Sequence, residues 1–153
     1  MKKFFALFAA AVLQATLFAS LEFYGASLDV VLVLLVLWFF FHGRWMELIM
    51  PALVGGVLLD ALSGAPFGVF SLGLAATMAF LGFCALLFPR ENAAHLIVFV
   101  ALATVWFSLM VFILLKVTGS FEVQITLLGA AVAVAYNIAG SVLLYSLRKW
   151  IIT

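Results

Sequence analysis

The side chain with the clearest chemical potential in this 153-residue sequence is Asp60, which lies near the end of a long apolar stretch. A carboxylate at the centre of a membrane helix costs about 2.5 to 3.5 kcal/mol on insertion scales, so such an aspartate is a functional candidate by default. Two amides, Gln14 and Asn137, lie inside other apolar stretches. Catalysis needs convergent polar groups, and Asp60 with Asn137 or Gln14 supplies neither a nucleophile nor a metal-binding set. These residue types favour a non-catalytic role, in which the amides hydrogen-bond across helices.

The residues around Asp60 predict how its carboxylate is used. Four residues recur at every fourth position and share one helix face, where small side chains let another helix approach closely: Ala52, Gly56, Asp60 and Gly64. Gly64, Pro66 and Gly68 then interrupt the helix and turn the chain. We predict that Asp60 accepts hydrogen bonds from backbone groups or a polar side chain of this turn and holds its shape. The alternative is an acid that reaches the membrane surface from a helix end.

Two further stripes of small residues predict close helix packing elsewhere in the chain. One runs along the first apolar stretch and consists of Ala11, Ala15 and Ala19. The other runs along the last apolar stretch and consists of Gly129, Ala133, Asn137 and Ser141.

Composition places these residues in a membrane protein. Hydrophobic residues make up 69% of the chain and charged residues only 8%, against roughly a quarter in soluble domains. Stretches such as 30–41 are apolar on every face, which indicates helices and not the alternating strands of a membrane barrel. A net charge of +1 gives no reason to expect a nucleic acid partner. The sequence has no nucleotide-binding loop, paired-histidine motif or nucleophile elbow, so we expect no cofactor.

The charged residues divide the chain into six predicted membrane-spanning helices: 4–21, 28–41, 46–62, 67–88, 93–117 and 123–147. About 20 helical residues are needed to cross a hydrocarbon core of about 30 Å. The second predicted helix has only 14 residues. It must therefore tilt little, extend back through Ala26, cross a thin bilayer, or have its ends covered by protein.

The distribution of Lys and Arg predicts the orientation of these helices. With the N-terminus in the cytoplasm, six of the seven basic residues lie on the cytoplasmic side and Lys116 alone lies outside. The first helix looks like a secretory signal peptide, but its 18 uncharged residues and the apolar remainder of the chain favour an uncleaved helix. We predict one transmembrane domain, residues 1–153, with both termini in the cytoplasm.

Three segments follow one another with a distinctive order and spacing. Residues 13–17 are Leu-Gln-Ala-Thr-Leu, residues 28–32 are Leu-Asp-Val-Val-Leu, and a third segment runs from Gly56 through Asp60 to Pro66 and Gly68. They resemble the Leu-Gln-x-(Ser/Thr) segment, the Pro-Asp-Leu start of the second helix, and the glycine-rich third helix with its Pro-x-Gly turn in the bacterial rod shape-determining MreD proteins. Leu28 stands where that family usually has proline.

The resemblance implies a non-catalytic component of the cell-elongation machinery in the bacterial inner membrane, which helps to control peptidoglycan synthesis and cell shape. It implies MreC as the membrane-protein partner, with MreB filaments and peptidoglycan synthases nearby. It also implies a fold similar to the six-helix substrate-binding subunits of energy-coupling-factor transporters. With the helix stripes, it makes these residues candidates for structural or partner-binding roles: Gln14, Ala15, Asp29, Gly56, Asp60, Gly64, Pro66, Gly68 and Asn137.

Two alternatives stay open at this point. The chain could be a solute-binding subunit of such a transporter, which would require a pocket with several polar groups near the outer face. The polar groups predicted there form an acidic set and do not suggest a vitamin site: Glu22, Asp29, Asp60 and Glu122. Whether the chain also forms a homodimer is equally open.

Overall fold

The computed structural model describes residues 2–18, 28–42, 44–89, 92–119 and 127–146. All of the regular structure in these ranges is helical, and a π-helical segment, Gln14–Phe18, continues the first helix. The helices are α1 (Lys2–Leu13), α2 (Val30–His42), α3 (Trp45–Ser63), α4 (Val69–Leu87), α5 (Ala93–Val117) and α6 (Leu127–Ser146). Helices α3 to α6 are long and apolar enough to cross a membrane, which is consistent with a multi-pass membrane protein.

Helix α2 is the centre of the fold. It packs against each of the other five helices, and its residues 31–39 are all buried. Because α2 has 13 residues, it is about 20 Å long, which is shorter than a hydrocarbon core of about 30 Å. Protein surrounds the helix, so its length does not have to match the bilayer. The structure shows protein around the middle of the helix but not the predicted coverage of both ends, because Val30 is only half-buried and His42 is exposed.

The other helices are neighbours in the order α1, α3, α4, α5 and α6 around α2. Helices α3 and α4 run antiparallel, because Trp45 approaches Gly82 while Gly56 approaches Ser71. An ion pair between Arg44 and Glu47, with 2.9 Å between Nη1 and Oε1, marks the start of α3. Both side chains are exposed, so the pair contributes little stability.

Most predicted boundaries agree with the structure, and the differences have local causes. Helix α5 has the predicted bounds. Helix α4 begins two residues later than predicted, because Gly68 adopts a φ of 104° in the preceding turn. Helix α2 also begins two residues late, after Leu28 and Asp29. The predicted ends of the first helix, at 19–21, and of the sixth, at 123–126 and 147, lie outside the described residues.

Candidate functional site

A network of polar side chains joins four helical elements at the start of α2. The Asp29 carboxylate accepts a hydrogen bond from Gln14 Nε2 at 3.1 Å and a longer one from Asn137 Nδ2 at 3.4 Å. Asn137 Nδ2 also donates to Thr104 Oγ1 at 3.0 Å. These residues come from the π-helical segment, the start of α2, α5 and α6. We call this set, Gln14, Asp29, Thr104 and Asn137, the Asp29 network.

The same two amides also satisfy the backbone at the start of α2. The first N–H groups of a helix have no partner within the helix, and leaving them unpaired inside a protein is costly. Val31 N donates to Gln14 Oε1 at 3.1 Å, and Asp29 N donates to Asn137 Oδ1 at 2.9 Å. Since each amide oxygen faces a backbone N–H, each amide nitrogen must face the Asp29 carboxylate. The backbone of α2 thus fixes the orientation of both amides.

The Asp29 network lies at mid-height in the bundle. Thr104 is close to the midpoint of α5 and Asn137 is close to the midpoint of α6, and both helices are long and apolar enough to cross a membrane. Thr104 and Asn137 are both buried. If α5 and α6 cross a bilayer, the network lies about 15 Å from either edge of the hydrocarbon core.

The π-helical segment that begins at Gln14 belongs to this site. A π-helix is uncommon and often marks a functional position, because its wider turn displaces side chains from their ordinary helical direction. In the same segment Thr16 Oγ1 donates to the Val12 carbonyl at 2.7 Å. The change from α- to π-helix thus occurs at the residue that bonds both the side chain of Asp29 and the backbone of α2.

A second node is centred on Asp60 and confirms the predicted role of this residue. The carboxylate accepts hydrogen bonds from the backbone N–H groups of Gly68 at 3.0 Å, Phe70 at 2.8 Å and Ser71 at 3.2 Å. These groups lie at the start of α4, where Gly68 occupies the cap position but has no side chain that could cap the helix. Asp60, which is 3% exposed, therefore caps α4 from α3.

The predicted turn between α3 and α4 is also confirmed. Gly64 ends α3 with a φ of 69° and Gly68 precedes α4 with a φ of 104°, both in the left-handed region that favours glycine. Between them, the Pro66 carbonyl accepts a hydrogen bond from Val69 N at 3.3 Å. The two glycines allow the reversal that brings the start of α4 to Asp60.

The close helix approach predicted for the stripe that contains Gly56 occurs between two helices of this chain. A Cβ atom on Gly56 would lie 2.2 Å from Ser71 Cα and 2.5 Å from Ser71 N, so the backbones of α3 and α4 touch at this point. Ala52, Gly56 and Asp60 are all buried, whereas Gly64, the fourth residue of the predicted stripe, follows the end of α3 and is exposed. The stripe therefore packs α3 against α4, and Gly56 is not a surface to which a partner can bind.

Two residues of the stripe predicted on the sixth helix pack inside the bundle, as expected for close helix packing. Asn137 and Ser141, from the predicted stripe, are fully buried. A different set of small residues on α6 is exposed: Ala131, Ala135 and Ala139. We call these three residues the outer alanine stripe. The predicted stripe on the first helix continues into the π-helical segment, where Ala15 is half-buried, while Ala19 lies outside the described residues.

The described hydrogen bonds of Asp60 do not include Asn137 or Gln14, the two residues considered with it for a catalytic site. Gln14 and Asn137 bind Asp29, whereas the partners of Asp60 among the described residues are all backbone groups of the following turn and helix. Sequence reasoning named Asp29 through the family resemblance and as an acidic group near the outer face, whereas the structure places it at mid-height beside Asn137. It missed Thr104, because a threonine in an apolar helix gives no signal of its partner. Of the acidic residues predicted near the outer face, Glu22 and Glu122 lie outside the described residues.

The chemistry open to this arrangement is hydrogen bonding and proton exchange. Within the described part of the chain, no three His, Cys, Asp or Glu side chains come together in a group that could hold a metal ion. No family model, curated protein or solved structure matches the chain. The fold and composition define the class as a helical protein with several apolar helices of membrane-spanning length.

Proposed function

We propose that this chain is an MreD-like, non-catalytic scaffold of the cell-elongation machinery in the bacterial inner membrane. The strongest support is that residues of the three segments that resemble MreD hydrogen-bond to one another. Gln14 and Asp29, which belong to two separate segments of the resemblance, bond directly at 3.1 Å. Asp60 and Gly68, both from the third segment, bond at 3.0 Å. Both hydrogen bonds hold helices together, as expected of a scaffold.

Six membrane-spanning helices with both termini in the cytoplasm form part of this proposal, as does a fold similar to the energy-coupling-factor substrate-binding subunits. Helix α1 and the π-helical segment together extend about 25 Å, and the apolar sequence continues beyond them. Helix α2 begins at the level of the Asp29 network and runs inside the bundle, so a full crossing there would also need the residues that precede it in the chain. The remaining four helices have the required length and composition.

The outer alanine stripe is the surface that suits a single membrane-spanning helix of MreC. Helices associate in lipid mainly through van der Waals packing, and small residues allow their backbones to approach closely. Bulky residues occupy the exposed face of α3, where Met46, Met50 and Val54 would hold a second helix at a distance. Among the four longest helices, α6 also has the smallest buried share. MreB and the peptidoglycan synthases would then be reached through MreC.

Co-purification with full-length MreC in mild detergent tests the proposal. Ala135→Leu places a bulky side chain in the middle of the outer alanine stripe, and Ala79→Leu makes the same change at an exposed alanine of α4. We expect the wild-type chain and Ala79→Leu to retain MreC, and Ala135→Leu to lose at least about nine-tenths of it, which corresponds to about 1.4 kcal/mol of binding free energy.

The outcomes separate the two parts of the proposal. Absence of any complex with the wild-type chain would contradict the scaffold function, and a small molecule retained in native mass spectrometry would then favour a solute-binding subunit. Equal capture by Ala135→Leu and Ala79→Leu would show that MreC binds another face. Size-exclusion profiles of the two variants control for misfolding.

A further inference from the structure

The sequence contains two aspartates, Asp29 and Asp60, and their carboxylates receive different sets of hydrogen-bond donors. The Asp60 carboxylate receives three backbone N–H donors within 3.2 Å. The Asp29 carboxylate receives two side-chain amide donors, one of them at 3.4 Å. Asp29 N and Val31 N do not donate to this carboxylate, because they are bound to the amide oxygens. A carboxylate can accept about four hydrogen bonds, so Asp29 is the less well satisfied group.

Among the described residues, no basic side chain lies at the level of Asp29. The π-helical segment contributes Gln14, and α6 contributes Tyr136, which precedes Asn137 but is exposed. Lys116 is twelve positions beyond Thr104 on α5, about 18 Å along the helix axis, and His95 is near the other end of α5. The remaining titratable groups on the described helices are Glu47 and Asp60 of α3 with Arg44 before it, Cys84 of α4, Tyr145 of α6, and His42 at the far end of α2 itself. In the sequence, Lys2 and Lys3 are twelve and eleven positions before Gln14.

We propose that Asp29 is a proton-binding site within the membrane-embedded part of the protein, which takes up and releases a proton near neutral pH. Asp29 is half-buried, at a depth where protein and hydrocarbon surround it if the bundle spans a bilayer. A carboxylate there without a counter-charge is costly, and binding a proton removes the charge. The proton comes from water and forms one O–H bond on a carboxylate oxygen, and no other bond changes.

The orientation of the amides favours a proton over a metal cation at this position. A sodium or potassium ion needs several oxygen ligands directed at one point. Gln14 Oε1 and Asn137 Oδ1 face backbone N–H groups instead, and Thr104 Oγ1 accepts from Asn137 while it donates to the Val100 carbonyl at 2.8 Å. The described oxygens around Asp29 are thus committed to hydrogen bonds. Proton binding at Asp29 does not depend on the MreC interaction proposed above.

Because the chain has only two aspartates, carboxyl-labelled aspartate gives a direct test. The full-length protein, labelled with carbon-13 at the aspartate side-chain carboxyl, is placed in lipid nanodiscs and followed by NMR through a pH series around neutrality. We expect one of the two labelled signals to shift across this range. That signal should be absent from Asp29→Asn and should persist, with the same midpoint, in Asp60→Asn.

Three results would overturn the proposal. The first is a wild-type protein in which neither labelled signal shifts near neutral pH, a result that needs no variant and holds even if Asp29→Asn fails to fold. The second is assignment of the shifting signal to Asp60, shown by its loss in Asp60→Asn. The third is a shift that follows sodium concentration at constant pH, because this would identify a metal cation as the ligand.

Discussion

Replacing Gly56 with alanine should separate α3 from α4 and destabilise the protein. The added Cβ would lie 2.2 Å from Ser71 Cα and 2.9 Å from the Phe70 carbonyl carbon. These are backbone atoms of α4, which cannot move aside as the end of a side chain can. The helices must therefore separate by more than about 1 Å to reach ordinary van der Waals contact. The separation also stretches the hydrogen bonds of Asp60, which is one helical turn away on the same face.

The size of the effect follows from two opposing contributions. Overpacking in a well-packed interior typically costs about 1 to 3 kcal/mol, and the backbone contacts of Gly56 place this substitution at the upper end of that range. Alanine favours the helical conformation over glycine by about 1 kcal/mol. We therefore expect Gly56→Ala to lower the free energy of unfolding by about 2 kcal/mol.

The neighbouring glycine provides a matched control. A Cβ atom on Gly55 would lie 3.0 Å from Val31 Cγ1 and 3.3 Å from Leu7 Cδ2, which are both the ends of side chains. Gly55→Ala receives the same helix-propensity gain and a smaller packing penalty, so we expect a change within about 1 kcal/mol of wild type. Unfolding of both variants is measured by titration with sodium dodecyl sulfate from a mild detergent. Equal stability of Gly56→Ala and Gly55→Ala would refute the reasoning.

Two further substitutions test the capping of helices from neighbouring elements. Asp60→Leu removes the acceptor of three backbone N–H groups, all at least partly buried, and should lower the free energy of unfolding by about 3 kcal/mol. Asp60→Asn keeps one acceptor oxygen and should lose about half as much; equal losses would contradict the capping role. Gln14→Leu leaves Val31 N without its acceptor and should cost about 1 to 3 kcal/mol in the same titration. A Gln14→Leu protein as stable as wild type would show that the hydrogen bonds of Gln14 contribute no net stability.

Features that depend on neighbouring residues in the chain could be predicted from the sequence. The bounds of α5 follow from an uninterrupted apolar stretch between charged residues. The turn between α3 and α4 follows from Gly64, Pro66 and Gly68, and the role of Asp60 follows because its hydrogen-bond partners begin only eight residues further on. Short separation along the chain leaves few alternative partners, so local patterns were sufficient.

The centre of the Asp29 network could not be predicted in the same way. Asp29 and Asn137 are 108 positions apart, and nothing in either segment specifies the other. The sequence showed that Gln14 and Asn137 are amides within apolar helices and would need hydrogen-bond partners. Their common partner is Asp29, a choice made by the packing of α1, α5 and α6 around α2.

The sequence by itself determined that the chain is helical and apolar enough for a membrane, with polar side chains that need partners inside it. The tertiary structure alone decided which faces point inward, including the choice of Asn137 and Ser141 over Ala131, Ala135 and Ala139 on α6. The physical reason is that lipid is as apolar as a protein core. A membrane helix therefore has no polar outer face to reveal its orientation, and only packing against the other helices distinguishes its two sides.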